Sequence, residues 1–232
     1  MKLSTETIDI LKNFSTINNS IVISPGNVLK TINPERNVYA RATVAETFPR
    51  DIPIYELRQF LNIFSLHRDA DVDFSNEQYI LVSQGTTRMK FYYADLFSLT
   101  KNLNIPTQDY PFDDVILNVS LDSSLLERVR KAANMYILTD LSLVGDQGKI
   151  ELKVHNKEDP ASKSYNVEIG TTDEGFNFDF NFIEKNLMIL PGSYNLDIAV
   201  FTGGRIASRF TNHSQDLQYV IALEPDSSFE RV

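Results

Sequence analysis

The hydrophobic pattern of this 232-residue chain predicts the same order of elements twice, which restricts the folds open to it. Each half contains a helix, a series of strands, a second helical segment and further strands. A short motif accompanies the repeat, since Asp51-x-x-Ile54-Tyr55-Glu56 is similar to Asp179-x-x-Phe182-Ile183-Glu184. The repeated order favours a tandem duplication of an α+β unit.

Four segments have helical periodicity. Ser4 is a candidate N-cap for the first helix, and Asp122 or Ser123 is a candidate for the third. The second pattern covers residues 54–66, and a shorter fourth one covers residues 182–188. The apolar positions of the first helix are Ile8, Leu11, Phe14 and Ile17.

The strand and domain predictions follow from alternation and turn residues. Predicted strands cover 21–23, 28–32, 38–44, 80–82, 88–93, 115–119, 138–144, 149–155, 165–169, 176–180, 194–201, 205–210 and 218–223. Between about residues 95 and 114 the pattern weakens, and Pro106 and Pro111 interrupt it. We therefore predict an N-terminal domain, 1–110, whose end includes this connector, and a C-terminal domain, 111–232.

Composition excludes several classes of protein. There is no cysteine, so disulfides, thiolate zinc sites and cysteine nucleophiles are excluded. No apolar run reaches about 18 residues and the N-terminus has no apolar signal core, so we expect no membrane span and no export. The net charge is −9, from 31 acidic and 22 basic residues, which by itself argues against nucleic acid as a partner, since Lys and Arg supply phosphate contacts.

Motifs for nucleotide or metal chemistry are absent from the sequence. Gly145-x-x-Gly148-Lys149 is too short for a phosphate-binding loop and instead predicts a hairpin turn. The histidines lie far apart without metal-ligand spacing; they are His67, His155 and His213.

The acidic residues single out no catalytic site either. Asp69, Asp71 and Asp73 alternate, but the glycine and distal glutamate of a calcium loop are missing, so a solvated loop explains them better. No Gly-x-Ser-x-Gly occurs, and no carboxylate pair stands out. We therefore expect a protein that is not an enzyme and that uses no metal or other cofactor.

Basic residues recur at the predicted helices. They are Lys2, Lys12, Arg58, Arg128, Arg130, Lys131 and Lys185. Each helix also carries acidic residues, so ordinary solvated faces explain this pattern unless the four helices line one surface.

Five segments occur in a characteristic order along nearly the whole chain. They are Met1-Lys2-Leu3-Ser4, Leu11-Lys12-Asn13-Phe14-x-Thr16-Ile17-Asn18, Ile54-Tyr55-Glu56-Leu57-x-x-Phe60-Leu61-x-Ile63-x-Ser65-Leu66, Pro191-Gly192-x-Tyr194-x-Leu196 and Tyr219-Val220-x-Ala222-Leu223-Glu224-x-Asp226-Ser227. Together they resemble the sliding clamps of T-even-type bacteriophages. Residues 68–120 depart most from the family.

The resemblance implies a DNA clamp fold with two similar domains, each having sheets outside and two helices inside. Three chains would close a six-domain ring around duplex DNA, held without sequence specificity. The implied partners are the replicative polymerase, an ATP-dependent clamp loader and late-transcription factors, in the cytoplasm of an infected bacterium. The basic helix residues would then face DNA, and an acidic exterior would keep DNA inside the ring.

The resemblance also suggests where chains and partners meet. By analogy with the fold, edge strands 86–93 and 164–170 would pair between chains, with interface residues Arg88, Lys90, Tyr92, Tyr165, Val167 and Ile169. Candidate walls for a partner-peptide pocket are Tyr110, Phe112, Ile221, Leu223 and Pro225, for which ordinary packing is an equal explanation. A virion structural or adaptor protein is the alternative function, and a carboxylate-based hydrolase is disfavoured.

Overall fold

The computed structural model describes residues 1–159, 161–201 and 203–231, with only the backbone of residue 231. Its contacts divide the chain into two units. Unit 1 comprises Met1–Asp109 with Gln215–Gln218, and unit 2 comprises Tyr110–Ser214 with the chain from Tyr219 onward.

Unit 1 combines three helices with three antiparallel groups of strands. The helices are α1 (Thr5–Ile17), α2 (Leu57–Leu66) and α3 (Leu96–Leu103). The strands are β1 (Ile21–Ile23), β2 (Gly26–Ile32), β3 (Val38–Phe48), β4 (Ile52–Ile54), β5 (Asp71–Asp73), β6 (Tyr79–Gln84) and β7 (Thr87–Tyr92). β1 pairs with β4, β2 pairs with β3, and β5, β6 and β7 form a three-stranded sheet.

The described part of unit 2 has one α-helix and a larger share of sheet. The elements are β8 (Val115–Leu121), α4 (Ser123–Tyr136), β9 (Asp140–Asp146), β10 (Lys149–His155), β11 (Tyr165–Thr171), β12 (Phe176–Ile183), a 3₁₀ turn (Glu184–Asn186), β13 (Tyr194–Phe201), β14 (Arg205–Asn212), β15 (Leu217–Ala222) and β16 (Ser228–Arg231). A five-stranded sheet has the order β11-β10-β9-β12-β16, and β13 lies between β8 and β14.

The predicted caps of the first and third helices are confirmed. The Ser4 hydroxyl accepts a hydrogen bond from the Thr7 backbone N–H at 3.2 Å, and the Asp122 carboxylate accepts one from Leu125 at 2.8 Å. Glu46 also accepts hydrogen bonds from the start of α1, from the backbone of Ser4 and the hydroxyl of Thr7. Partial burial raises the pKa of Glu46, but these hydrogen bonds outweigh it and hold the pKa below its usual value.

The core of each unit lies between helix and sheet. In unit 1 the apolar side of α1, including Leu11 and Phe14, is fully buried and the helix lies against β3. In unit 2 alternate residues of β12 are buried phenylalanines, which are Phe176, Phe178, Phe180 and Phe182. This two-residue period directs every one of these rings to one face of the sheet.

The helix predicted over 182–188 is wrong. β12 continues to Ile183, and only Glu184–Asn186 is helical, as a single 3₁₀ turn. The period-two phenylalanine pattern includes Phe182, so strand pairing with β9 extends to the end of the motif. Among its described residues, unit 2 therefore has one α-helix where two helices were expected.

Other departures from the predicted elements are shorter. α2 begins at Leu57 rather than residue 54, because β4 occupies Ile52–Ile54. The segment predicted as a connector contains α3, which Asp95 caps by accepting from the Ser98 N–H at 2.9 Å. The predicted strands also left out β5 and β16.

Candidate DNA-facing surface, subunit edges and partner pocket

The predicted DNA-facing residues of unit 1 are exposed. Lys12 lies on the polar side of α1, and its ammonium is 3.4 Å from the Asp9 carboxylate. This pair is solvent-exposed and contributes little energy, so the Lys12 charge can respond to an approaching phosphate. Arg58, near the start of α2, donates from Nε to the Ser15 carbonyl at 3.2 Å. This hydrogen bond joins the start of α2 to the end of α1. Lys2 is exposed, and its backbone pairs with that of Asp71 in β5 as an isolated antiparallel β-bridge.

The predicted DNA-facing cations of unit 2 lie on α4 and in the 3₁₀ turn. Arg128 and Lys131 are exposed on α4, and the Lys131 ammonium is 3.5 Å from Glu127. Lys185 is exposed in the 3₁₀ turn. Arg128 and Lys131 therefore place two positive charges on the exposed surface of α4.

Arg130 differs from its neighbours, because its guanidinium bonds to the chain itself. Its Nη2 donates to the carbonyls of Leu187 and Ile189, at 3.0 and 2.9 Å. The side chain is half-buried and holds the segment after the 3₁₀ turn against α4. Burial raises the pKa of the adjacent Glu184, and the positive charge of Arg130 partly opposes that rise.

Replacing Arg130 with alanine is expected to lower the free energy of unfolding of unit 2 by about 1–3 kcal/mol, since two carbonyls lose their charged donor. Lys131→Ala removes the same charge from the next position and is the matched control, with an expected change within about 0.5 kcal/mol. Chemical denaturation measures both. Equal effects of the two substitutions would contradict the structural role of Arg130.

The predicted interface strand of unit 1 lies at a sheet edge. In the described part of the chain, β7 pairs only with β6. Arg88, Lys90 and Tyr92 alternate along β7 and are exposed, and the Lys90 ammonium lies 4.5 Å from the ring centre of Tyr79. The other side of β7 faces α2, because the Phe91 ring meets Phe60 edge-on at 5.4 Å.

The predicted interface strand of unit 2 is also at an edge. Among the described strands, β11 pairs only with β10. Tyr165, Val167 and Ile169 are half-buried, whereas Glu168 is exposed and its carboxylate lies 3.3 Å from the Lys149 ammonium. β7 and β11 are thus two unlike edge strands, one with basic residues on its exposed side and one with an acidic residue there.

The five predicted pocket residues all belong to unit 2 but differ in exposure. Ile221 is fully buried in the core, so its side chain cannot line an open pocket. Phe112 is half-buried. The centre of its ring lies 5.3 Å from the ring centre of Phe201 and 4.5 Å from the guanidinium carbon of Arg209. Tyr110 and Pro225 are exposed and Leu223 is half-buried.

A cavity that the sequence did not predict lies within unit 1. It has a volume of about 430 Å³ and lies between β1, β2 and α3. Its apolar lining includes Val22, Val28 and Leu103, and Lys30 reaches it while pairing with Asp109 at 2.9 Å. These segments are far apart in sequence and α3 was not expected, so no local pattern could indicate the cavity.

Metal-binding and nucleophilic arrangements do not emerge from the described residues. No cluster of three or more histidine or carboxylate side chains suited to a metal occurs among them, and Asp71 and Asp73 belong to β5. Ser142 contacts the His155 ring at 2.8 Å, but it is 2% exposed and its hydroxyl donates to Asn181. Within the described ranges, no helix combines the length and apolar character needed to span a membrane.

Solved structures with this architecture include PCNA and DNA polymerase III beta subunits. PCNA from Thermococcus kodakaraensis matches with a TM-score of 0.66 at 14% identity, covering 97% of this chain and 99% of that one. A putative DNA polymerase III beta subunit from Eubacterium rectale matches with a TM-score of 0.63 at 14% identity, over 97% of this chain and 65% of the other. At such identities the likeness defines the fold, and the chain has the DNA clamp fold that was predicted.

Sequence relatives specify the family. Residues 4–102 match the family model of the DNA polymerase processivity factor, and residues 118–225 match that of the gp45 sliding clamp C-terminal domain. Sliding clamps from Vibrio phage KVP40 and Escherichia phage RB69 are 29% and 28% identical, covering 97% and 99% of this chain and 99% and 100% of the relatives. The chain belongs to the sliding clamp family of DNA polymerase processivity factors, which are not enzymes, and the resemblance to T-even-type clamps is confirmed.

Proposed function

We propose that three copies of this chain close into a ring around duplex DNA in the cytoplasm of an infected bacterium. Residues 1–110 and 111–232 would be its two clamp domains, giving six domains per ring. The observation that carries the proposal is the pair of unlike open edges, β7 with Arg88 and Lys90 and β11 with Glu168. Two different surfaces on one chain make a heterologous contact, which closes into a ring when the rotation permits.

The inner surface in this proposal is built from the exposed cations of α1, α2 and α4. Lys12, Arg128 and Lys131 offer long-range attraction to phosphates, since the ion pairs of Lys12 and Lys131 are exposed and weak. Lys2, Arg58 and Lys185 add charge at the element ends. A ring is held on DNA by topology, so few and non-specific contacts suffice and sliding stays fast. Because the whole chain has a charge of −9, the remaining surface is acidic and repels DNA.

The ring would tether the replicative polymerase, and an ATP-dependent clamp loader would open it. One structural neighbour, PCNA of A. fulgidus, was solved with the C-terminal region of FEN-1 bound, with a TM-score of 0.65 at 12% identity. By analogy we propose that partner proteins dock a terminal peptide near Tyr110, Phe112, Leu223 and Pro225. Activation of late transcription is proposed as a second use of the same ring.

The test combines solution mass with primer extension on a primed circular template. We expect a mass near three chains, and long products only when clamp, loader, ATP and polymerase are all present. Omitting ATP is the control, because without it a closed ring cannot be placed on circular DNA. A stable monomer at micromolar concentration that never lengthens the products, or that is found instead in purified particles, would contradict the proposal.

A further inference from the structure

β16 is a short strand that completes one edge of the five-stranded sheet. Its residues Ser228–Arg231 pair with Phe176–Asp179 of β12, and among the described strands β16 has no other neighbour. The ladder with β9, on the other side of β12, begins only at Phe178. In the described part of the chain, the first two residues of β12 therefore have a strand partner in β16 alone.

The described side-chain contacts of β16 centre on one aromatic ring. Phe229 is half-buried, and its ring centre lies 6.3 Å from that of Phe176 and 6.4 Å from that of Phe180. These distances are at the long end of the range for aromatic pairs. Ser228 and Glu230 are exposed. A four-residue edge strand held in this way opens locally at a much lower free-energy cost than the unfolding of the whole unit.

On the opposite face of the sheet, β16 fits the edge of β12 imperfectly. Glu230 lies directly opposite Asn177 and diagonal to Asp179. Among the described residues, no donor reaches the buried Oδ1 atom of Asn177. An ionised carboxylate at Glu230 cannot donate to that atom, and it places a second negative charge near Asp179. The edge of β12 therefore lacks a donor and a positive charge opposite Asn177.

We propose that the edge of β12 is a docking site for an extended peptide of a partner protein, and that β16 occupies this site when the partner is absent. The peptide adds to β12 as an antiparallel strand, so backbone hydrogen bonds supply affinity and alternate side chains supply specificity. It carries an aromatic residue opposite Phe178 and a lysine or arginine opposite Asn177. The basic side chain donates to the Asn177 amide oxygen and lies near the Asp179 carboxylate.

The chemistry of the edge favours such a peptide over a second copy of this chain. Another copy that inserted its own β16 would bring Glu230 to the same position, with the same missing donor and the same charge repulsion. The inference is also independent of the proposed ring. β16 and β11 lie at opposite edges of the five-stranded sheet, so β11 is unaffected by what pairs with β12.

The first experiment measures the binding of fluorescein-labelled peptides to the full chain by fluorescence polarisation. The probe is a synthetic copy of residues 224–231 in which lysine replaces Glu230, and the unchanged copy is its matched control. We expect the lysine peptide to bind about 10-fold more tightly, because it adds a charge-assisted hydrogen bond. Equal affinities, or no binding of either peptide at millimolar concentration, would overturn the inference.

Glu230→Lys in the chain itself tests whether β16 competes for the same edge. This substitution lets β16 make the missing contact, so the lysine peptide should bind about 10-fold less tightly than it binds wild type. Glu77→Lys makes the same change of charge at an exposed site in unit 1 and should leave the affinity unchanged. Equal peptide binding by Glu230→Lys and wild type would place the peptide elsewhere and contradict the inference.

A disulfide between β12 and β16 tests the location directly. Asp179 and Ser228 are paired across the two strands, at a separation that a disulfide can span, and the chain has no cysteine of its own. The oxidised Asp179→Cys, Ser228→Cys variant should not bind the lysine peptide, whereas its reduced form should bind through Asn177. Binding by both forms would overturn the inference, as would disulfide-linked pairs of chains, which identify a second copy as the occupant.

Discussion

Replacing Arg88 and Lys90 with glutamate is expected to convert the assembled protein into single chains at micromolar concentration. Each interface would lose two attractions to the edge that carries Glu168 and would gain two repulsions against it. A closed ring needs all of its interfaces at once. A roughly 100-fold loss in the association constant of each interface therefore lowers the stability of the ring by the product of these losses. Sedimentation velocity or mass photometry measures the loss of the assembled species.

The control for charge alone is Lys101→Glu with Lys185→Glu, which changes the net charge equally at exposed sites outside the two edges. That variant is expected to assemble normally. Adding Glu168→Lys to the β7 double variant should restore part of the assembly, because the attraction is then reversed in sign. If the β7 variant assembles as wild type, the edges are not the interface.

Replacing Lys12 and Lys131 with alanine is expected to shorten the retention of loaded rings on end-blocked linear DNA and to flatten its salt dependence. A trimer presents each substitution three times, so up to about six phosphate contacts are lost, each contributing roughly 0.9 to the log–log salt slope. Assembly and unfolding should be unchanged, because both side chains are exposed and their ion pairs are weak.

The matched control for DNA retention is Lys101→Ala with Arg205→Ala, which removes two exposed cations that belong neither to the proposed inner surface nor to the two proposed interface strands. We expect retention close to that of wild type for this control. Equal losses in both double variants would show that net charge, and not the helix surface, governs retention. No loss in either would contradict the assignment of Lys12 and Lys131 to the DNA-facing surface.

The parts of the fold that sequence could predict are those fixed by local chemistry. Ser4 and Asp122 begin α1 and α4 because their side chains satisfy backbone N–H groups three residues ahead. The hairpin turn between β9 and β10 was also predicted from its turn residues, and Gln147 and Gly148 both adopt positive φ there. Gly145 belongs to β9, and the Phe178 ring packs where its side chain would be.

The features that sequence could not predict depend on distant residues. Residues 182–188 were predicted to be a short helix from their own pattern, but pairing with β9 holds Phe182 and Ile183 as strand. The sequence could not distinguish Arg130 from the other helix cations, because its carbonyl partners at Leu187 and Ile189 lie in a separate segment. The cavity in unit 1 likewise combines β1, β2 and α3.

The two open edges have a consequence for how assembly can be manipulated. In the proposed ring β7 of one chain joins β11 of the next, and because these strands belong to different sheets a head-to-tail series of chains has a direction. A chain disabled only at β7 can still accept a neighbour at β11, and a chain disabled only at β11 can still donate β7. Mixed in equal amounts, these two chain terminators form a pair with one interface and no possibility of growth or closure, so the strength of a single contact becomes measurable outside the ring.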